Sequence, residues 1–367
     1  MTASSTTATT TTSPTAVPAT DTPTAPASAA RSTGVSTLEQ VPPTSGPTPA
    51  APPKPAPDKR YLALRNFAIS LTVFNVLGYT VLGFEQPWLW PILAIATGYS
   101  VELLLEAISA WAERRPPRFS GGGLRRVYEF LLPAHITSLA VNMLLFANDQ
   151  WWPIMFGVVV AVGQKQILKA PVNGRWRHFM NPSNFGIAVT LLCFGSWVSV
   201  APPYQFTEYA NTLFRILIPL LLVTAGTVIN AMLTGRVLLI VGWLGGFVIQ
   251  ALVRHFVWDA PLYSALGVMS GVAFVLFTNY MITDPGTTPS KPLPQFIFGA
   301  SVATTYGVLM LFNVVYTLFF ATAIVCGLRG AGWLVADQRR RRRERQEAAA
   351  ADTTPEEVPG PAGLVPA

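Results

Sequence analysis

The chain has 367 residues, of which 51% are hydrophobic and 12% charged, about half the charged share of an ordinary soluble domain. Its mean hydropathy is +0.41 although both ends are polar, so the middle is more apolar than the average and does not fit one compact water-facing core; its apolar surface must meet lipid or neighbouring helices. The formal charge of +7 does not point to nucleic acid, because the basic residues sit beside apolar runs, where the positive-inside rule accounts for them.

In chain order, residues 1–57 are rich in Thr, Pro, Ala and Ser and poor in large apolar side chains. Such a composition does not offset the entropy of ordering, so a disordered tail is expected. It lacks the basic-then-apolar order of a signal peptide, and the first span is expected to direct insertion. A transmembrane helical domain is expected over residues 58–338, with spans at Leu62–Phe84, Trp88–Trp111, Val127–Ala147, Trp151–Leu168, Phe179–Val200, Thr212–Met232, Val237–Phe256 and Leu262–Ile282. The stretch Phe296–Val335 is long enough for two more spans, broken near Asn313, which brings the total to about ten. The runs are continuous rather than alternating, which indicates an all-α polytopic fold and not a barrel. Residues 339–367 are read as a polybasic segment followed by a disordered tail from Glu347; the arginines from Arg339 to Arg345 read as a stop-transfer anchor or as a binder of anionic lipid headgroups.

The connecting loops alternate in charge. Lys59, Arg60 and Arg65, then Arg114–Arg126, then Lys169, Arg175 and Arg177, then Arg236, Lys291 and Arg339–Arg343 all fall on one side. Glu85, Asp149, Glu208, Arg254 and Asp259 fall on the other. This places both termini in the cytoplasm and the chain in the plasma membrane. Five spans per half make the two halves inverted repeats, with the polar turns after the third and eighth spans in corresponding places.

Three sets of residues carry candidate chemistry. The first is His178-Phe-Met-Asn181-Pro182-Ser183-Asn184-Phe-Gly186. Asn before Pro is a natural helix start, and the same helix N-terminus is a candidate holder of a phosphate or carboxylate. The second is Thr283-Asp284-Pro285-Gly286-Thr287-Thr288 through Pro292, either a rigid type II turn with Gly286 at positive φ or a hydroxyl-rich loop entering a site between helices. The third is the set of polar groups inside spans. Glu102 and Glu106 lie one turn apart, His135 follows a Pro133 that could break the third span, and Lys165 and Arg215 are single cations. Glu102, Glu106, His135 and Arg215 are the candidates for an ion or proton pathway, while Glu106 and Lys165 could instead reach the interface. Asn142, Gln164, Asn230, Gln250 and Asn279 are equally read as hydrogen bonds between helices.

Cys193 and Cys326 stand apart inside apolar runs, so neither a disulfide nor a metal site is expected. There is no phosphate-binding Gly-Lys loop, dinucleotide fingerprint or serine nucleophile elbow.

The order Ala161-Val-Gly-Gln-Lys165-Gln166-Ile-Leu168, a basic loop, then Phe179-Met-Asn181-Pro182-Ser183-Asn184-Phe185-Gly186 resembles the RnfD and NqrB membrane subunits. Ser270-Gly271 followed by Met281-Ile-Thr283-Asp284-Pro285-Gly286-Thr287-Thr288 resembles their later motif. The string from Met281 to Pro292 is most similar to UnbU-type integral membrane proteins of enediyne gene clusters. The resemblance runs over most of Tyr61–Val335. It implies ten helices in two inverted repeats, flavin-dependent electron transfer coupled to ion movement, and redox or biosynthetic partner proteins. It further implies ligand or cofactor contacts at Lys165, Asn181–Asn184, Gly186, Thr283, Asp284 and Gly286–Thr288. The family's covalent flavin attaches to a Thr after the fifth span. Here that region, Ala201–Asn211, lacks the motif, and Ser301-Val-Ala303-Thr304 has similar letters elsewhere. The expectation is therefore a membrane component of enediyne biosynthesis with a noncovalent flavin or another ligand; export or self-resistance, and a membrane scaffold for enzymes, are the alternatives.

Overall fold

The computed structural model describes residues 59–172, 174–202 and 211–352. The tail expected over residues 1–57, most of the Ala201–Asn211 segment and the end of the C-terminal tail lie outside these residues. Eleven α-helices are described: α1 Lys59–Leu77, α2 Leu89–Ala112, α3 Gly123–Leu144, α4 Trp152–Ile167, α5 Pro182–Phe194, α6 Thr212–Ile229, α7 Val237–Trp258, α8 Leu262–Gly267, α9 Val272–Leu276, α10 Pro292–Leu311 and α11 Thr317–Asp352. Four short strands accompany them: β1 Leu145–Phe146, β2 Lys169–Val172, β3 Arg175–His178 and β4 Ser199–Val200. β1 pairs with β4 and β2 with β3, both antiparallel.

Seven helices are long and apolar enough to cross a membrane, and α8 with α9 forms an eighth candidate, bent by 64° at Gly271. Each of the ten expected runs is helical, but two of them are short. α4 has 16 residues. α5 has 13 and extends only about 20 Å against a hydrocarbon layer of about 30 Å. Asn181 caps α5 late and the chain leaves the helix at Gly195, so the ends of the expected Phe179–Val200 run become loop and β4. The break near Asn313 is present; Asn313 and Tyr316 both adopt positive φ, at 54° and 61°.

Pro133 does not break the third span. α3 runs through it, and the Thr137 hydroxyl donates to the Pro133 carbonyl at 2.7 Å. α11 also outlasts its apolar part. Residues 347–352, expected to begin a disordered tail, continue the helix, in keeping with the helix-forming Gln-Glu-Ala-rich sequence.

α1 and α6 end alike. Each passes into a π turn, Gly78–Leu82 and Asn230–Thr234, and stops at a left-handed glycine, Gly83 (φ 75°) and Gly235 (φ 64°). Gly takes this conformation without a Cβ clash. α1 packs on α3 as α6 packs on α9, α2 on α4 as α7 on α10, and α4 on α5 as α10 on α11. α7 and α10 approach closely. A Cβ on Gly299 would lie 2.2 Å from the Leu239 carbonyl oxygen, and one on Gly242 would lie 2.3 Å from that of Phe296. Beside this contact Trp243, Phe247, Phe274, Phe277 and Tyr306 form an aromatic core.

Only 17% of the apolar window of α2 and 22% of that of α6 is buried within the protein, against 61% for α3. The outward faces of α2 and α6 carry Leu104, Ile108, Leu213, Ile216, Leu220 and Leu221, all exposed. A lipid bilayer is the medium that makes such a surface stable. Exposed tryptophans mark the two rims as interfacial anchors: Trp88, Trp151, Trp197 and Trp258 at one end, Trp111 and Trp176 at the other.

Candidate functional site

The loops rich in cations meet at one end of the bundle. The β2–β3 hairpin and the residues leading into α5, the loop 282–291, the α6–α7 turn at Arg236 and the α11 residue Arg329 form a single polar cluster.

Asn181 joins the two sequence motifs. Its side-chain oxygen accepts from the Asn184 amide at 3.0 Å, and its Nδ2 donates to the Met281 carbonyl at 2.7 Å. The Ser183 hydroxyl donates to the same oxygen at 3.2 Å, and the Phe185 amide to the Asn181 carbonyl at 2.9 Å. Pro182 has no N–H, so the helix start is largely satisfied by its own cap. Asn184 Nδ2 donates to the Phe319 carbonyl at 2.9 Å, tying α5 to α11. Gly186 is a packing residue, since a Cβ there would lie 2.3 Å from the Gly157 carbonyl oxygen.

The second motif is not a type II turn. Gly286 is absent from the positive-φ glycines. Instead Asp284 organises the loop: its carboxylate accepts from the Gly286 amide at 3.0 Å and the Thr287 hydroxyl at 2.8 Å. Its carbonyl accepts from the Thr288 amide at 3.1 Å and the Thr288 hydroxyl at 2.6 Å. An aspartate that bonds its own following backbone removes the need for a left-handed glycine. Thr283 is buried, with its hydroxyl donating to the Asn279 carbonyl at 2.7 Å.

Two guanidiniums hold this loop. Buried Arg236 donates from Nε to the Thr288 hydroxyl at 3.0 Å, and Arg329 donates to the Thr287 carbonyl while stacking over Trp333. Neither arginine, nor Arg177, has a carboxylate within ion-pair distance among the described residues. Burial pulls the Arg236 guanidinium below its usual range, and Asp284 opposes that pull. Burial likewise lowers His178, again opposed by Asp284 and reinforced by Lys165, Arg177 and Lys169. A Cβ on Gly286 would lie 3.3 Å from His178 Nε2, so the loop passes close to the imidazole. Arg329 precedes Arg339 by ten residues on one continuous helix, about 15 Å along the axis.

Of the remaining candidates, Lys165 is near enough to the cluster to act on His178. Lys165 pairs with Glu102 at 2.6 Å, joining α4 to α2. Glu106 is buried and binds the Arg118 amide and side chain at 2.8 Å and also Arg115, clamping the α2–α3 loop. His135 connects three helices, bonded to the Thr72 hydroxyl at 2.8 Å and the Tyr99 hydroxyl at 2.9 Å. Arg215 sits in the first turn of α6, at the opposite end from the cluster. Asn142 Nδ2 donates to Asn75 and Tyr79, and Asn230 Nδ2 to the Asn279 carbonyl, as interhelical hydrogen bonds.

Sequence reasoning did not single out Arg236 and Arg329 as site residues. Arg236 reads as an ordinary basic loop residue. Arg329 carried a usable signal, an ionisable side chain inside an apolar run. The described residues contain no group of three or more His, Cys, Asp or Glu side chains able to hold a metal ion. No protein-family profile matches the chain, and no curated protein matches it significantly.

Proposed function

We propose that this chain is a multi-pass plasma-membrane protein with its basic end in the cytoplasm, and that the cluster around Asp284 receives an anionic group. The observation that carries the reading is the pair Arg236 and Arg329, clamped on one loop with no ion-paired carboxylate among the described residues. Buried positive charge is costly unless it is matched, and Asp284 uses its carboxylate on its own loop. Guanidiniums suit phosphate because their donors form a fixed fork.

The resemblance to RnfD, NqrB and UnbU-type proteins supplies the ligand class. In this reading a noncovalent flavin mononucleotide binds with its phosphate on Arg236 and Arg329, and the protein gives redox support to enediyne biosynthesis together with partner proteins. The donor set fits the phosphate. Covalent attachment at Ser301–Thr304 does not fit, because that segment lies within α10 and the Thr304 hydroxyl is bonded to the Ala300 carbonyl. A bound flavin supplies one- and two-electron transfer; the chain's own residues hold the anion and position the loop. The matching helix ends and packing pairs of α1–α5 and α6–α11 support two inverted repeats within a ten-segment scaffold.

Titration of the detergent-purified chain with flavin mononucleotide, followed by flavin fluorescence, tests the reading. Binding is expected to weaken about tenfold or more in Arg236→Gln and Arg329→Gln, as loss of a charge-assisted contact implies. Riboflavin, which lacks the phosphate, is expected to bind the variants and the wild type alike. Equal affinity of wild type and variants for the mononucleotide would overturn the assignment. The bent α8–α9 pair favours export or self-resistance as a second reading, because interrupted helices also line substrate paths in transporters. Product export that is unchanged in a deletion strain would remove it.

A further inference from the structure

We propose that the outward face of α11 binds an anionic phospholipid, with acyl chain along its apolar part and phosphate on Arg339, Arg342 and Arg343. At 3.6 residues per turn, Leu328, Gly332, Val335 and Ala336 lie on the same side of the helix as these three arginines. All seven side chains or backbones are exposed. The bundle-facing side is different: Gly330 abuts Phe179, and Arg329 binds the Thr287 loop.

The arginines of the cluster divide by partner. Asp337 takes Arg340 at 3.1 Å and Arg341 at 2.7 Å, and Glu344 lies 3.7 Å from Arg340. Among the described residues Arg339, Arg342, Arg343 and Arg345 have no carboxylate partner; the first three share the side of the apolar lane, and Arg345 lies beside it. Asp337 and Glu344 thus neutralise the side facing away from the lane, and among the described residues the three lane-side arginines keep their charge unmatched. Depth agrees. Arg339 lies 22 residues beyond the start of α11 at Thr317, about 33 Å along the axis, just past a hydrocarbon layer of about 30 Å. The free guanidiniums therefore emerge at the phosphate level, directly above a lane of small and apolar residues. A simple stop-transfer anchor needs the charge but not this division between faces.

The full chain in detergent is mixed with phosphatidylglycerol or phosphatidylcholine and examined by native mass spectrometry. The wild type is expected to retain phosphatidylglycerol in preference. With three arginines contributing about fivefold each, the preference approaches about a hundredfold. Arg339→Gln/Arg342→Gln/Arg343→Gln is expected to lose it, and Arg340→Gln/Arg341→Gln to keep it. Inorganic phosphate at equal concentration is expected not to displace the lipid. Equal retention of both lipids by the wild type overturns the proposal without any variant, as does displacement by inorganic phosphate. Equal loss in the two arginine variants also overturns it, because the faces would then be equivalent.

Discussion

Replacement of Asn181 by alanine removes two interactions at once. The side chain caps the Asn184 amide at 3.0 Å and donates to the Met281 carbonyl at 2.7 Å, and Asn181 itself is buried. Loss of an N-cap costs about 1 kcal/mol. A buried carbonyl stripped of its donor costs about 1–3 kcal/mol. The Asp284 amide remains near the Met281 oxygen at 3.4 Å and softens the second cost, so the sum is about 2–3 kcal/mol. Denaturant unfolding in detergent micelles measures it. Asn181→Ser keeps a capping oxygen but no amide donor, and is expected to recover about 1 kcal/mol. Hydrogen exchange at the Asn184 amide is expected to quicken in the alanine variant and not in the serine variant. A loss below about 0.5 kcal/mol for Asn181→Ala would refute the account, since a surface-like substitution gives that value.

Gly299→Ala is expected to cost about 3 kcal/mol or more in the same assay, because the new methyl meets backbone at 2.2 Å and 2.6 Å. Gly245→Ala on α7, where nothing lies within 4 Å, is expected to be neutral. Glu102→Gln or Lys165→Gln alone is expected to cost about 3 kcal/mol by leaving a part-buried charge unmatched; the double variant is expected to recover most of it in a double-mutant cycle. His178 is held below its usual pKa by burial, so the unfolded chain binds its proton first as pH falls. Its contribution is complete above about pH 6.5 and is lost as pH drops towards the lower folded value. His178→Gln is expected to flatten that part of the stability profile, below the ordinary histidine range of about 6.5.

Much of the fold was legible because long apolar runs and alternating loop charge are local signals. The Asn181–Pro182 helix start and the break at Asn313 are likewise encoded by residues adjacent in the chain. Hydropathy did not reveal that α5 is short or that α8 and α9 are bent apart, because an apolar window records avoidance of water and not where a helix begins. Pro133 kept its helix because neighbouring helices hold α3 on most of its surface. Gly286 was misread from the Pro-Gly pair, where the Asp284 carboxylate decided the turn. The site itself depends on contacts between distant residues, Asn181 with Met281 and Arg236 with Thr288. No local pattern encodes such pairings, so the two motifs were visible but their arginine clamp was not.

The proposed binding mode places the phosphate of a noncovalent flavin on Arg236 and Arg329. Purification from native membranes, with an absorption spectrum and mass analysis of the released small molecules, is the decisive measurement. A flavin mononucleotide that leaves the protein on denaturation and is missing from Arg236→Gln/Arg329→Gln is the expected result. A preparation with no phosphate-bearing cofactor, or a flavin that stays attached after denaturation, would contradict it.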